Sequence, residues 1–184
     1  GDVGIYLVHM GSGCIFEGDN EGKGWNEDDE PNFFGSFYSR TKIQSEQTLR
    51  IYKNVLQLRI RMPIDNKPGD RNLITKLVRY KEVIGDIENS ITYLPDLMKI
   101  SKELMDRKES GIYNVVNEGT ITHRELLDMY KWYVDPTFKL PKFIGLEELE
   151  RLIIAGRSNC TLSTDKLKEK GIEIRNVRSA LKEC

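Results

Sequence analysis

Tyr38 and Lys42 lie four residues apart in a stretch of helical periodicity, which puts their side chains on one face. A phenol, with an ordinary pKa of about 10, is a poor acid–base catalyst at neutral pH until a nearby cation stabilises its phenolate. A lysine one helical turn away is such a cation, and this is the chain's one Tyr-x-x-x-Lys. Upstream, an apolar run ends in Gly11-Ser12-Gly13-Cys14. A hydroxyl there can donate to a carbonyl oxygen as charge develops on it, and a thiol can exchange a proton where a cation favours its thiolate. Each residue also has a plainer use. Tyrosine and lysine can sit on a solvated helix face, a serine can satisfy backbone at a strand end, and a cysteine can fill space as a small buried hydrophobe. His9 and His123, the only histidines, read as structural, and Cys160 and Cys184 carry no argument for function.

The elements that must position these residues alternate in type. Strand-like apolar runs cover Gly4–Met10, Val55–Arg61 and Gly111–Val116. Helical patterns cover Ser36–Lys53, Asn72–Tyr80, Asp96–Arg107, Thr122–Val134, Leu146–Ile154 and Thr164–Lys170. Thr122-His-Arg-Glu125 is a capping box, and Ser163 is a candidate cap for the helix that stops at Gly171. Such alternation predicts an α/β fold with a mainly parallel, helix-covered sheet. From about Pro63 onward the pattern is more irregular, punctuated by Pro68, Pro95, Pro136 and Pro141, and it predicts a smaller lobe over residues 63–184. An element near 111–116 returns to the sheet formed by residues 1–62. The acidic run Glu27-Asp28-Asp29-Glu30, in a Gly-rich loop, is expected on a solvated surface.

Composition bounds the function. The 184 residues suit one ordinary domain, long enough to bury roughly 70% of the unfolded chain's surface. At 39% hydrophobic and 31% charged the chain is globular rather than disordered. A net charge of −1 gives no electrostatic footprint for nucleic acid or an anionic membrane, and no apolar run approaches the roughly 20 residues of a membrane span. Three scattered cysteines without a CxxC pair argue against a disulfide framework or a zinc site, and fit a reducing cytoplasm. No metal is expected.

In context the Tyr–Lys pair becomes specific. A strand ending in Ser12, a loop, and then a helix carrying Tyr38 and Lys42 resembles the extended short-chain dehydrogenase/reductases that act on nucleotide sugars. Within them the chain is most similar to the nucleotide-rhamnose synthase/epimerase-reductases, which resemble dTDP-4-dehydrorhamnose reductase. The strings GCIFE (Gly13–Glu17), PNFFGSFYS (Pro31–Ser39) with Lys42, LRIRMPI (Leu58–Ile64), NLITK (Asn72–Lys76) and GRSN (Gly156–Asn159) match in order. The resemblance implies a Rossmann-type sheet, a nucleotide-sugar substrate and NADPH.

It also implies roles. Ser12 would donate to the substrate carbonyl, Tyr38 would protonate the alkoxide once hydride arrives, and Lys42 would favour the phenolate and reach the nicotinamide ribose. Arg61, Met62 and Pro63 occupy the place where relatives bring backbone near the nicotinamide. Ser-x-Cys at this strand end also occurs in GDP-fucose synthase, which makes Cys14 an acid–base group for epimerisation. Lys76 matches the position of its Lys or His partner. Asn72 and Arg157 fall on the substrate side, where a guanidinium is the natural fork for a pyrophosphate.

The family's Gly-rich dinucleotide turn after a first Rossmann strand has no counterpart in the sequence. Gly1 stands close to an apolar run, so the expectation is that the chain is the later part of a longer one, short of a first portion on the order of 100 residues. By itself it would bind NADPH poorly. The activity implied is conversion of an NDP-4-keto-6-deoxyglucose, dTDP or UDP, to NDP-rhamnose by 3,5-epimerisation and 4-reduction. A reductase without epimerase activity and a non-catalytic NADP-binding regulatory subunit are the alternatives. Members of the family it resembles often dimerise through the Tyr-x-x-x-Lys helix and the helix before it, of which only the first is found in this sequence; a homodimer is the expectation that the resemblance carries.

Overall fold

The computed structural model describes residues 4–80, 83–152 and 156–184. In chain order the elements are β1 (Leu7–Ser12), a 3-10 turn (Gly13–Ile15), α1 (Phe37–Arg50), β2 (Val55–Ile60), β3 (Pro63–Ile64), α2 (Leu73–Arg79) and β4 (Val83–Gly85). There follow β5 (Thr92–Tyr93), α3 (Leu94–Asp106), β6 (Gly111–Asn114), α4 (His123–Tyr133), β7 (Lys142–Ile144), α5 (Leu146–Leu152), α6 (Asp165–Glu169) and α7 (Val177–Leu181).

The main sheet has the order β1-β2-β6 and is wholly parallel, with Ser12 opposite Ile60 and Arg59 opposite Asn114. Its central strand β2 is buried on both faces, and side chains alternate between those faces. Leu56 and Leu58 meet Leu97, Ile100 and Leu104 of α3 in one apolar cluster, with Leu167, Ile172 and Ile174 from the chain around α6. Gln57 and Arg59 project the other way, toward α1. There Gln57 donates to the Glu46 carbonyl at 3.2 Å, and Arg59 forms a two-point ion pair with the Glu46 carboxylate at 2.8 and 2.6 Å. A buried charge persists only where it is paired, so this pair is what locks α1 to the sheet. A second cluster gathers Leu77 of α2, Tyr93 of β5, Leu126 and Leu127 of α4, and Val177 and Leu181 of α7. Two further parallel pairs, β3 with β5 and β4 with β7, edge this second region.

The expected parallel α/β architecture is present, with shifted boundaries. The first strand runs Leu7–Ser12 rather than Gly4–Met10, because its register with Val55–Ile60 extends to the residue before the turn. The strands ending at Ile60 and Asn114 stop one and two residues short of expectation. Thr122 caps α4 by accepting from the Glu125 amide at 3.2 Å, whereas the Glu125 carboxylate pairs with Arg178 instead of reaching back. Ser163 accepts from the Asp165 amide at 3.1 Å, and Gly171 has φ +69° where α6 ends. The helix expected to reach Ile154 is seen to Leu152; residues 153–155 lie outside the described ones. The acidic run is not uniformly solvated. Glu27 is buried, since its carboxylate accepts from the Asn114 amide at 2.8 Å, and burial raises its pKa.

Candidate functional site

The site begins at the carboxyl end of β1. Ser12 closes the strand and caps the following turn, its Oγ accepting from the Cys14 amide at 3.1 Å. Gly13 fits because a Cβ there would stand 2.7 Å from Leu162 Cδ1. The tight turn leaves Ser12 buried and Cys14 half-buried. Ser36 caps α1 by accepting from the Ser39 amide at 3.0 Å, and Ser39 Oγ donates to the Cys14 carbonyl at 2.6 Å. The first turn of α1, which carries Tyr38, is thereby tied to the peptide that carries the thiol. Four residues on, Lys42 Nζ donates to the Met10 carbonyl at 3.1 Å and stands 6.0 Å from the centre of the Tyr38 ring. Tyr38 is half exposed, and its hydroxyl has no partner among the described residues.

At this strand end lies a cavity of about 500 Å³ lined by, among others, Cys14, Tyr38, Arg61, Met62, Pro63 and Lys76. His123 and Arg157 also line it. Ligands of parallel α/β folds sit at such carboxyl strand ends. Of the residues singled out by sequence, the cavity thus collects Cys14, Tyr38, Arg61, Met62, Pro63, Lys76 and Arg157. Ser12 and Lys42 do not line it: Ser12 accepts from the Cys14 amide and Lys42 donates to the Met10 carbonyl. Asn72 is elsewhere: its Oδ1 accepts from the Ile74 amide at 3.0 Å as the cap of α2, and its Nδ2 donates to the carbonyls of Asp65 and Lys67. It borders a different cavity, on the far side of α2.

Arg61 is the residue whose placement differs most from the sequence reading. Its amide donates to Thr92 Oγ1 at 3.0 Å and its carbonyl accepts from the Thr92 amide at 2.7 Å, so its backbone is spoken for. Its guanidinium is buried at the edge of the cavity it helps to line. Nη1 lies 2.7 Å from Cys14 Sγ, and Nη2 donates to Asn89 Oδ1 at 2.6 Å and to the Ser158 carbonyl. Met62, next in sequence, has φ +39°, a left-handed conformation costly for a side chain of its kind. His123, read as structural from the sequence, lines the cavity. Its Nδ1 lies 2.9 Å from the Gly85 carbonyl, which can only accept, so Nδ1 carries the proton and Nε2 is left as a buried acceptor without a partner. Burial lowers its pKa, and Arg157 and Arg61 push the same way. Arg157 is exposed and has no ion pair among the described residues.

Fold and site together define a Rossmann-type α/β chain in which a Tyr–Lys helix faces a strand-end Ser-x-Cys. The chain belongs to the RmlD substrate binding domain family, whose model matches residues 1–184. It is 45% identical to a bifunctional dTDP-4-dehydrorhamnose 3,5-epimerase/dTDP-4-dehydrorhamnose reductase of Arabidopsis thaliana, over 98% of this chain and 61% of that one. A trifunctional UDP-glucose 4,6-dehydratase/UDP-4-keto-6-deoxy-D-glucose 3,5-epimerase/UDP-4-keto-L-rhamnose-reductase of the same plant is 43% identical, over 96% of this chain and 27% of its own length. The crystal structure of the L780 UDP-rhamnose synthase from Acanthamoeba polyphaga mimivirus superposes with a TM-score of 0.89 at 33% identity, covering 98% of this chain and 65% of that one. The fold is also that of dTDP-4-dehydrorhamnose reductase from Bacillus anthracis in complex with NADP, with a TM-score of 0.79 at 21% identity, over 98% and 65% of the two chains. The chain therefore spans about three-fifths of the length of the shorter relatives it matches.

Proposed function

We propose that this chain carries the proton-transfer and substrate side of a nucleotide-sugar 3,5-epimerase/4-reductase, which turns an NDP-4-keto-6-deoxyglucose into NDP-rhamnose with NADPH. The observation that carries the reading is the convergence of Cys14, Tyr38, Lys76 and Arg157 on one cavity at the ends of β1 and β2. Arg157, exposed and without an ion pair among the described residues, offers a planar fork to the pyrophosphate. The Tyr38 hydroxyl donates to the C4 ketone oxygen. The Cys14 sulfur, as thiolate, takes the proton from a carbon next to that ketone, and the C–H electron pair passes to the oxygen as an enolate that the Tyr38 hydrogen bond stabilises. A proton returned from the Lys76 ammonium to the opposite face inverts the centre. Ser12 acts here as the cap that orients Cys14.

The nicotinamide end of NADPH fits the wall formed by Tyr38, Met62 and Pro63, because this wall stands at the mouth of the parallel sheet and leaves the Tyr38 hydroxyl free. When bound, the cofactor supplies hydride to C4. Tyr38 then gives its proton to the alkoxide oxygen, and Lys42 stabilises the phenolate that remains. No Gly-rich pyrophosphate turn occurs in the sequence, so the residues here hold only that end. Turnover of UDP- and dTDP-4-keto-6-deoxyglucose in D₂O tests the reading. Tyr38→Phe should lose both deuterium incorporation and NADPH oxidation, and Cys14→Ala should lose incorporation at C3 and C5. Normal product stereochemistry and rate in Cys14→Ala would refute the assignment of Cys14.

A further inference from the structure

A cysteine that removes a carbon-bound proton must be held as a thiolate, and the family resemblance points to Lys76 as the cation responsible. The structure places another cation in contact. Arg61 Nη1 lies 2.7 Å from Cys14 Sγ, while Lys76, also on the cavity wall, is exposed on α2 and makes no hydrogen bond to the sulfur. Arg61 is only 3% exposed, and every anchor around it fixes the direction of its fork. Thr92 holds its backbone, while Asn89 Oδ1 and the Ser158 carbonyl hold Nη2. Asn89 is fixed in turn, since its Oδ1 also accepts from the Cys160 amide at 3.1 Å and its Nδ2 donates to Asn159 Oδ1 at 3.1 Å. None of these partners is an anion. Among the described residues no carboxylate pairs with Arg61, although buried Arg59, two residues earlier, has Glu46. A buried guanidinium without a counter-anion is costly.

We propose that Cys14 is the counter-anion of Arg61: the buried guanidinium holds the sulfur as the thiolate and aims it into the cavity, as a positioning residue for proton transfer at the substrate. The inference deepens the epimerase reading and rests on it. The other ionisable groups facing the sulfur are Tyr38, Lys76, His123 and Arg157 around the cavity and Cys160 behind the turn. None of these makes a hydrogen bond to the sulfur; among the described residues Arg61 alone does. Lys76 is thereby left free to serve the opposite face of the sugar as proton donor.

The test is the rate at which iodoacetamide alkylates Cys14 at pH 6.5, read by mass spectrometry of the Cys14 peptide. In the unmodified chain the folded protein should react about tenfold faster than the same cysteine in urea, despite its partial burial, because the thiolate is the nucleophile. A folded rate equal to or below the unfolded one overturns the proposal, and this arm needs no variant. Arg61→Gln should lose about tenfold of the folded rate and move the reaction's pH profile upward, Arg61→Lys should restore part of it, and Lys76→Gln should change it less than about twofold. Loss with Lys76→Gln and not with Arg61→Gln overturns the proposal in favour of the lysine. Deuterium exchange into the 4-keto sugar separates this inference from the functional reading. Arg61-dependent alkylation with normal exchange in Cys14→Ala sinks the epimerase assignment and keeps the Arg61–thiolate pair. Lost exchange in Cys14→Ala with Arg61-independent alkylation does the reverse.

Discussion

Glu46 ties α1 to β2 through its carboxylate, and removing that carboxylate should give a measurable loss. Arg59 is fully buried and Glu46 is 4% exposed. Their two hydrogen bonds of 2.8 and 2.6 Å are joined by Arg59 Nη1 donating to the Asn26 carbonyl at 3.0 Å and by the guanidinium 5.0 Å from the centre of the Phe16 ring. In Glu46→Ala the guanidinium keeps one carbonyl and an aromatic face but loses its counter-charge. Breaking a buried pair from one side costs about 3–5 kcal/mol, a large part of the 5–15 kcal/mol typical of a domain. For a chain of this size that corresponds to a fall in Tm of roughly 6–20 °C. The double variant Glu46→Leu/Arg59→Met removes both charges and should recover most of the loss, because apolar replacement of a buried pair is often neutral. Urea unfolding followed by circular dichroism on the wild type, both single variants and the double variant gives the coupling energy. A single-variant loss below about 1 kcal/mol, or a double variant equal to the sum of the singles, would refute the idea that this pair locks α1 to β2.

Gly13→Ala places a methyl group 2.7 Å from Leu162 Cδ1 in a packed region; it should cost about 1–3 kcal/mol by overpacking and slow Cys14 alkylation, and a wild-type melt with wild-type reactivity would show that the turn is not constrained. Thr122→Ala removes the α4 cap and should cost about 1 kcal/mol, with urea midpoints as the readout and no change as the contrary result. Burial lowers the pKa of both His123 and His9. The unfolded chain therefore binds more protons below about pH 6.5, and stability falls as pH falls through that value. Glu27, raised by burial, acts in the opposite direction at lower pH, so Tm is best compared between pH 7.5 and 5.5. His123→Asn should flatten that slope, and a Tm that rises on acidification would contradict the assignment.

The sheet and its longer helices were legible because each carries its own hydrophobic period, and Thr122 marks the start of α4 with its cap; the Ser36 and Asn72 caps of α1 and α2 were found only in the structure. The strands β3, β4, β5 and β7, of two or three residues each, are too short to show a period and exist only by pairing across the chain. In the site, the spacing of Tyr38 and Lys42 is by itself weak evidence; they and Cys14 were readable because the strand-end and helix strings around them resemble a known family in order. The Arg61–Cys14 contact spans 47 residues, and no local pattern announces it. A signal was present all the same: Gln57, Arg59 and Arg61 alternate with apolar residues in a strand the sequence marks as buried. Buried arginines need partners, and asking for them would have led to Glu46 and Cys14. Glu27 was misplaced for the converse reason, since three neighbouring acids hid the one whose acceptor the Asn114 amide requires.

The central claim is that one cavity performs two proton chemistries with separate residues, Cys14 for carbon and Tyr38 for oxygen. The most direct measurement follows deuterium incorporation and NADPH oxidation together, in D₂O, with a 4-keto-6-deoxy nucleotide sugar and the full-length protein. The account predicts that Cys14→Ala stops exchange at C3 and C5 while C4 reduction of the unepimerised ketone persists, and that Tyr38→Phe stops both. Undiminished exchange in Cys14→Ala, or reduction that survives in Tyr38→Phe, would contradict it.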